Sequence, residues 1–191
     1  MTDRAFWEAK YKNSETGWDR GDFSPALTTW LETLEPCRIL VPGCGRGHEV
    51  IELARRGFDV TAVDIATPAI DHMQAILEKE HLSATLIHAD MFDLDLAPFD
   101  AIYEQTCLCA IQPMQREVYE QWLYNHLKPG GQLLALFMQT GAEGGPPFHC
   151  GLSDMTSLFD ASRWQWPESD GDTVAHPSGR HELAHILIRQ A

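Results

Sequence analysis

The chain has 191 residues, of which 28 are acidic and 14 basic, and a formal net charge of −14. Its length suffices for one domain with a sizeable core, and a composition of 44% apolar and 22% charged residues is typical of a globular protein. The negative charge would repel nucleic acid and anionic lipid, so we expect neither as a partner. It leaves the class of small-molecule substrate open.

The sequence carries no sign of a membrane or secreted protein. No apolar run reaches the roughly 18 residues that a spanning helix needs, and the first residues carry charges where a signal peptide needs an apolar core. The five cysteines are odd in number and contain no Cys-x-x-Cys pair, which favours reduced and mostly buried thiols. We therefore expect a cytoplasmic protein.

Two helices are predicted before the first strand. A pattern of apolar and basic residues over positions 6–11 fits one face of a first helix, and a polar loop, NSETGWDRGDF, follows it. Ser24 and Pro25 then have the residue types of an N-cap and a first helical position. We expect this second helix to end near Glu35.

From residue 38 the pattern alternates between strands and helices. Strands are predicted over residues 38–42, 58–63, 84–88, 99–104 and 131–138, and helices over 47–56, 67–80 and 113–127. Thr67-Pro68 resembles a second cap-and-proline start, and Lys-Pro-Gly-Gly should end the long helix at Leu127. Alternation at this spacing requires parallel crossovers, so the predicted fold class is α/β, a single domain over residues 1–191 with a doubly wound, mostly parallel sheet.

The last fifty or so residues break this alternation. GAEGGPPF is a loop rich in glycine and proline, LSDMTSLFD fits a short helix with Ser153 as its cap, and HELAHILIRQ has the apolar density of a strand. A strand pair after a short helix predicts an antiparallel hairpin at the edge of the sheet.

Three glycines at alternate positions, Gly43, Gly45 and Gly47, follow the first predicted strand in the sequence VPGCGRG. Ordered glycine is entropically costly, so three together need a reason. In doubly wound sheets, ligands bind outside the carboxyl ends of the strands, near this position. Gly43 and Gly45 would let backbone approach a ligand, and Gly47 would let the next helix pack closely. A plain turn needs only one or two glycines, so we interpret the segment as a ligand loop.

The neighbouring residues favour an adenosyl ligand without phosphates. His48 stands where the dinucleotide fingerprint needs its last glycine. Asp64 ends the second strand, where a carboxylate accepts hydrogen bonds from the ribose of either NAD or S-adenosylmethionine. Asp90 and Met91 follow the third strand, where a carboxylate can accept from an adenine amino group and a methionine can cover the ring. A cationic sulfonium also suits an acidic pocket better than a polyanion.

The chain resembles the thiopurine S-methyltransferase family, which includes thiol, thiocyanate and halide methyltransferases. The resemblance runs from about residue 6 to 160 and is carried by FWEAKYKNSETGWDRGDFSPAL, ILVPGCGRGHEV, VTAVDIATPAI, DMFDL, FDAIYEQTCLCAIQP, LKPGG and GGPPF. It implies the class I methyltransferase fold, Rossmann-like with seven strands and the last antiparallel. It also implies S-adenosylmethionine as the methyl donor and S-adenosylhomocysteine as the product.

The resemblance further implies an N-terminal segment, residues 1–24, whose aromatic side chains close over the cofactor. Aromatic faces attract a sulfonium by cation–π interaction, about 0.5–2 kcal/mol each. The alternative for two of them, Trp7 and Tyr11, is packing of an amphipathic helix on the core. The predicted cofactor-binding residues are Trp7, Tyr11, Trp18, Gly43, Gly45, Gly47, Asp64, Ile65, Asp90, Met91 and Gln105.

The acceptor is less well specified. Many relatives have Asp-Arg where this chain has Glu104-Gln105, which weakens a thiopurine assignment and favours a small soft nucleophile: a thiol, hydrosulfide, halide, thiocyanate, or a selenium or tellurium species. Tyr103, Glu104 and Cys107 are the predicted substrate residues, with Phe148 as a lid, and packing is the alternative role for each. Such nucleophiles need proximity in a dry cleft rather than a base, so no catalytic residue is predicted.

Three other functions compete with this one. HELAH, residues 181–185, matches the zinc-protease pattern H-E-x-x-H, but in a strand its two histidines lie roughly 13 Å apart, so we expect no metal site. His48 disfavours an NAD(P)-dependent oxidoreductase. A non-catalytic protein that binds S-adenosylmethionine or its product stays open. For partners we expect a small-molecule acceptor only, and a monomer rather than an oligomer.

Overall fold

The structure is a computed structural model that describes residues 3–191. The chain divides into two compact units, the first ending at Asp95 and the second beginning at Leu96; the single domain stays a prediction. Within the described residues, no helix is both long and apolar enough to cross a membrane. All five cysteines are free thiols and four of them are buried, as predicted.

The first unit consists of three parallel strands with helices between them. Its strands lie in the order β3-β2-β1, and Asp64 of β2 is level with His88 of β3. The carboxyl ends of parallel strands point the same way, so the segments after β1, β2 and β3 meet at one edge. The elements are α1 (Arg4–Lys12), α2 (Pro25–Trp30), β1 (Arg38–Pro42), α3 (His48–Arg55), β2 (Asp59–Asp64), α4 (Thr67–Glu80) and β3 (Thr85–His88).

The second unit combines one parallel strand pair with antiparallel strands. β4 and β5 are parallel, β8 is antiparallel to β5, and both β6 and β7 pair antiparallel with β8. The predicted C-terminal hairpin is thus confirmed in β7 and β8. The elements are β4 (Phe99–Gln105), α5 (Arg116–His126), β5 (Leu127–Gln139), α6 (Leu152–Leu158), β6 (Trp164–Gln165), β7 (Asp172–Ala175) and β8 (His181–Arg189).

The α/β class with mostly parallel strands is confirmed, although the described residues form eight strands where the resemblance implied seven. The predicted helix over residues 113–127 is wrong at both ends. Pro113–Gln115 is a single 3-10 turn, and Leu127 already belongs to β5. Lys-Pro-Gly-Gly therefore lies inside a strand instead of in a loop that ends the helix.

Helix starts were predicted with mixed success. The Ser24 side chain accepts from the Ala26 N–H at 3.3 Å and caps α2 as expected, although that helix ends at Trp30 rather than near Glu35. Thr67 is the first residue of α4 and not its cap, and Ser153 lies inside α6, whose N-cap is Gly151.

Candidate functional site

The glycine loop after β1 has a backbone that few other residues could adopt. Gly43, Gly45 and Gly47 all have positive φ, at 56°, 54° and 72°, a region that L-residues with a Cβ enter at a cost. Gly47 is also the N-cap of α3, and a Cβ built on it would overlap the Met73 sulfur and lie 2.8 Å from Cγ. Close packing of α3 at Gly47, predicted from the sequence, is therefore confirmed.

Asp64 fixes this loop from the end of β2. Its Oδ2 accepts from the Gly45 N–H at 2.9 Å, and its Oδ1 accepts from the Ala66 N–H at 2.8 Å. Burial raises the pKa of the Asp64 carboxyl, although the hydrogen bonds from the backbone oppose this effect. Each carboxylate oxygen has two acceptor positions, so Asp64 can hold the loop and still accept from a ribose hydroxyl.

Three aromatic side chains of the N-terminal segment gather at Gly45. The ring of Trp18 makes edge contacts with Trp7 at 5.4 Å and Tyr11 at 5.6 Å. A Cβ built on Gly45 would lie 3.3 Å from Tyr11 Oη and 3.9 Å from Trp18 Nε1. No residue of α1 is fully buried, although the Tyr11 hydroxyl is largely shielded from water. The covering role of Trp7 and Tyr11 stays a prediction.

The Tyr11 hydroxyl keeps its proton in this setting. Burial and the nearby charge of Asp64 raise its pKa, and these effects outweigh the hydrogen bond with Trp18, which acts to lower it. Tyr11 therefore stays a neutral donor at the loop throughout the ordinary pH range.

The residues predicted for adenine lie at the same edge of the first unit. Asp90 caps the 3-10 turn Met91–Asp93, its Oδ1 accepting from the Phe92 N–H at 3.1 Å. The Ile65 carbonyl oxygen lies 3.1 Å from His88 Nε2. The local roles of Asp90 and Ile65 are thus defined by the fold, and their roles toward a ligand stay a prediction, as does that of Met91.

Charged contacts that hold the N-terminal segment escaped the sequence analysis. Asp19 pairs with both Arg46 and His48, each at 2.8 Å, while Thr67 Oγ1 donates to Glu8 Oε1 at 3.0 Å. Farther along the segment, Arg4 Nη1 lies 2.6 Å from His88 Nε2. In the sequence, an acid follows Trp18 and two basic residues flank Gly47. These opposite charges predict an ion pair only if the two segments are already known to lie close together.

The second unit links three buried side chains. The Tyr103 hydroxyl donates to Gln105 Oε1 at 2.8 Å, and Gln105 Nε2 donates to Glu182 Oε2 at 2.9 Å. Glu182, from the HELAH segment, is fully buried. Gln105, predicted as a cofactor residue, therefore uses both ends of its amide on protein partners.

Glu104 is a buried carboxyl that holds a turn of the backbone. Its Oε1 accepts from the Leu108 N–H at 2.6 Å, and only 1% of the residue is exposed. Burial, together with the charge of Glu182, raises the pKa of Glu104 to about 8, against hydrogen bonds from Leu108 and Cys107 and the charge of Arg116. The structure thus gives this predicted substrate residue a definite internal role.

The other predicted substrate residues lie around the same turn. Cys107 is buried, and the Phe148 N–H donates to the Cys109 carbonyl at 2.7 Å. Burial raises the pKa of the Cys109 thiol well above its ordinary range and that of Cys150 to about 12. These two thiols are therefore protonated and unreactive at neutral pH.

HELAH forms part of strand β8, as predicted. Among residues 3–191, no group of three or more His, Cys, Asp and Glu side chains is arranged to hold a metal ion. Tyr124 and Lys128 have a Tyr-x-x-x-Lys spacing seen in dehydrogenases, but α5 ends before Lys128. The Tyr124 hydroxyl donates to the Gln190 carbonyl at 3.3 Å and Lys128 pairs with Asp100 at 2.6 Å, so the two side chains have different partners.

The sequence of this chain decides its family. Residues 2–188 match the family model described as Thiopurine S-methyltransferase (TPMT). The chain belongs to the thiopurine S-methyltransferase family. A family relative from Arabidopsis thaliana, named "Probable thiol methyltransferase 2", is 32% identical over 161 residues, covering 80% of this chain and 70% of that protein. A thiopurine S-methyltransferase of Aliivibrio fischeri (strain MJ11) is 28% identical over 200 residues, covering 95% and 94%.

A solved methyltransferase structure has the same fold as this chain. The 1,6-didemethyltoxoflavin-N1-methyltransferase of Burkholderia thailandensis, solved with S-adenosylhomocysteine, matches with a TM-score of 0.80 at 20% identity. The match covers 98% of this chain and 87% of that chain. It shows that this family member has a methyltransferase fold, as the resemblance implied.

Proposed function

We propose that this protein is an S-methyltransferase that moves a methyl group from S-adenosylmethionine to a small soft nucleophile. The observation that carries the proposal is the arrangement at Gly45, where the bare backbone of the glycine loop lies between Asp64 and the aromatic pair Tyr11 and Trp18. Membership of the thiopurine S-methyltransferase family supports the same reaction.

The residues present fit this cofactor. A glycine under the Tyr11 hydroxyl leaves room that a side chain would fill, and the Asp64 carboxylate is ordered by backbone donors before any ligand arrives. Asp64 would accept from the ribose, and the faces of Trp7, Tyr11 and Trp18 would lie against the sulfonium. Asp90 and Met91 would contact the adenine.

S-Adenosylmethionine, when bound, supplies a methyl group that its sulfonium already activates. The chain therefore has to hold the reactants in line and exclude water, and orientation alone can lower the barrier by several kcal/mol. The aromatic N-terminal segment supplies that exclusion. A thiol acceptor reacts as its thiolate after losing its proton to solvent, and no side chain is assigned to move that proton.

We infer that the acceptor is a thiol, hydrosulfide or similar soft nucleophile. A relative is named as a thiol methyltransferase, and Gln105 provides a neutral amide held by Tyr103 and Glu182. A neutral amide offers no charge to bind the anionic group of a larger acceptor. Tyr103, Glu104, Cys107 and Phe148, all of the second unit, are proposed as residues that contact the acceptor in addition to their internal contacts.

Binding and turnover test the proposal separately. S-Adenosylhomocysteine at 100 times its dissociation constant should stabilise the folded protein by about 2.7 kcal/mol, seen as a rise in melting temperature. Tritiated S-adenosylmethionine should then label hydrosulfide, small thiols, thiocyanate, iodide, selenite or a thiopurine. The absence of any thermal shift would refute the proposal, whereas binding without transfer to any acceptor would favour a non-catalytic cofactor-binding protein.

Asp64→Asn tests the site itself. An asparagine keeps one acceptor oxygen but turns an amide toward a backbone N–H, so both the loop and the ribose contact are weakened. We expect affinity for S-adenosylhomocysteine, measured by calorimetry, to fall at least tenfold, or about 1.4 kcal/mol. Asp59→Asn, at the exposed first residue of the same strand, is the control and should bind as the wild type does. Equal affinity of both variants would remove Asp64 from the site.

A further inference from the structure

One carboxylate ties the two parts of the proposed cofactor site to each other. Asp19 Oδ2 lies 2.8 Å from Arg46 Nε, and Asp19 Oδ1 lies 2.8 Å from His48 Nε2. We call these three residues the Asp19 clamp. Asp19 belongs to the N-terminal segment, whereas Arg46 and His48 flank Gly47 in the glycine loop. The clamp therefore joins the segment to the loop by side chains alone.

The position of Asp19 in the chain gives the clamp its effect. Trp18 is the preceding residue, and its ring contacts Trp7 and Tyr11 and lies near Gly45. Asp19 Oδ1 also accepts from the Gly21 N–H at 2.9 Å, and the Asp19 N–H donates to the Thr16 carbonyl at 2.9 Å. The turn around Trp18 is thus fixed internally, and the clamp fixes this turn against the loop.

Asp19 is ionised at neutral pH. Partial burial opposes ionisation of Asp19, but the hydrogen bonds from Gly21 and His48 and the charges of His48 and Arg46 outweigh it and lower the pKa of the carboxyl. The hydrogen bonds that the Asp19 carboxylate accepts from Gly21 and His48 are charge-assisted and so roughly twice as strong as neutral ones, whereas Arg46 contributes an ion pair at 2.8 Å without hydrogen-bond geometry. The Asp19 side chain is 17% exposed, so salt can still reach and weaken the pair.

Several other side-chain contacts of the segment lie away from the turn around Trp18. Glu8 bonds to Thr67, and Arg4 lies against His88, so both anchor α1. The Lys10–Glu15 pair, at 2.6 Å, lies wholly within the segment. The Asp19 clamp is accordingly the contact best placed to govern Trp18 without moving α1.

We propose that Asp19 is a positioning residue, which holds Trp18 against the glycine loop and thereby slows release of the adenosyl ligand. The inference rests on the proposed function for the identity of that ligand. If the ligand binds only when the segment is closed over it, its apparent affinity falls in proportion to the population of the closed state. Such differences in affinity arise mainly from the dissociation rate.

The test compares Asp19→Asn with Glu15→Gln, which breaks an ion pair of the same segment that does not reach the loop. We expect Asp19→Asn to weaken S-adenosylhomocysteine binding about tenfold, mostly through faster dissociation in stopped-flow measurements. Glu15→Gln should stay within about twofold of the wild type. Equal losses in the two variants, or none in Asp19→Asn, would overturn the proposal.

Two further measurements separate positioning from a merely structural role. In the wild type, raising salt from about 0.05 M to about 0.5 M should weaken binding of the zwitterionic ligand two- to threefold, and Asp19→Asn should lose this dependence. In a double-mutant cycle, Arg46→Gln should cost little affinity once Asp19 is Asn. Additive losses, or an unchanged salt dependence in Asp19→Asn, would contradict the clamp.

A readout without ligand keeps this inference distinct from the proposed function. Hydrogen exchange of the backbone amides of residues 14–23 should be faster in Asp19→Asn than in the wild type or Glu15→Gln. In the variant, the turn can open without the energetic cost of breaking the ion pair with Arg46. If the wild type fails to bind S-adenosylhomocysteine, the proposed function is refuted. The exchange experiment would still test whether Asp19 holds the turn around Trp18. Should Asp19→Asn not fold, Arg46→Gln and the salt titration of the wild type test the same ion pair in its place.

Discussion

Glu104 has an internal role that its position in the sequence does not indicate. The substrate contact expected of it stays a prediction, and within the fold its carboxyl accepts from the Leu108 backbone and is almost wholly buried. A sequence shows that an acid follows a strand, but which way its side chain turns depends on the next turn of backbone. At Asp64 the same kind of position produced an acid facing the glycine loop.

The buried Glu104 carboxyl predicts a specific pH dependence of stability. Its pKa is raised from an ordinary value of 4.5 to about 8, so the folded state holds this proton more tightly than the unfolded chain does. The associated stability is complete below about pH 4.5 and is lost as pH rises through about 8. The glutamine of Glu104→Gln does not titrate. Between about pH 4.5 and 8, the free energy of unfolding of this variant should therefore rise relative to that of the wild type by up to about 1.4 kcal/mol for each pH unit.

Urea unfolding of both proteins between pH 5 and 9 measures this difference, because contributions from all other groups cancel. The exposed Glu117→Gln on α5 is the control for the substitution and should change the free energy of unfolding by less than about 0.5 kcal/mol. A difference between wild type and Glu104→Gln that stays constant from pH 5 to 8 would mean that the carboxyl is not perturbed.

At the scale of elements, the sequence predicted what periodicity and backbone chemistry determine locally. β1 and α4 have the predicted bounds, and α3 packs closely at Gly47 as predicted. The end of α5 and the path of Lys-Pro-Gly-Gly were missed because pairing with Phe99 of β4 extends β5 back to Leu127, and no local pattern reports that pairing. The Asp19 clamp escaped for the same reason, since it joins residues more than 25 positions apart.

The packing of α3 on α4 gives a prediction that separates backbone strain from overlap. Gly47→Ala places a Cβ both at positive φ and against Met73, which should cost about 1–2 kcal/mol for the backbone and about 1–3 kcal/mol for the overlap. Gly57→Ala, after the other end of α3, also has positive φ, but no described heavy atom lies within 4 Å of its Cβ. It should show the backbone cost alone.

Denaturant unfolding with an unchanged m-value would give both free energies. The loss in Gly47→Ala should exceed that in Gly57→Ala by at least about 1 kcal/mol. Equal losses would indicate that Met73 moves aside freely and that the glycine is required for its backbone only.

At the scale of the molecule, long-range repulsion and local ion pairs respond to salt in opposite directions. A net charge of −14 destabilises the compact state through repulsion between like charges. The range of this repulsion shrinks from about 30 Å at 0.01 M salt to about 10 Å at 0.1 M. Pairs in direct contact, such as Arg55–Glu80 at 2.6 Å, are exposed and contribute little. Screening should therefore help the fold as a whole more than it harms these contacts.

The same salt titration should accordingly raise thermal stability and lower affinity for S-adenosylhomocysteine. Stability follows the whole charge distribution, so the melting temperature should rise by a few degrees, about 1 kcal/mol, between about 0.01 M and 0.3 M KCl. Affinity follows the Asp19 clamp, in which Asp19 faces Arg46 and His48, and should fall. Scanning calorimetry and binding calorimetry on one sample series measure both. A melting temperature that falls with salt would mean that local pairs outweigh the net charge, and an affinity that rises with it would mean that the clamp does not govern binding.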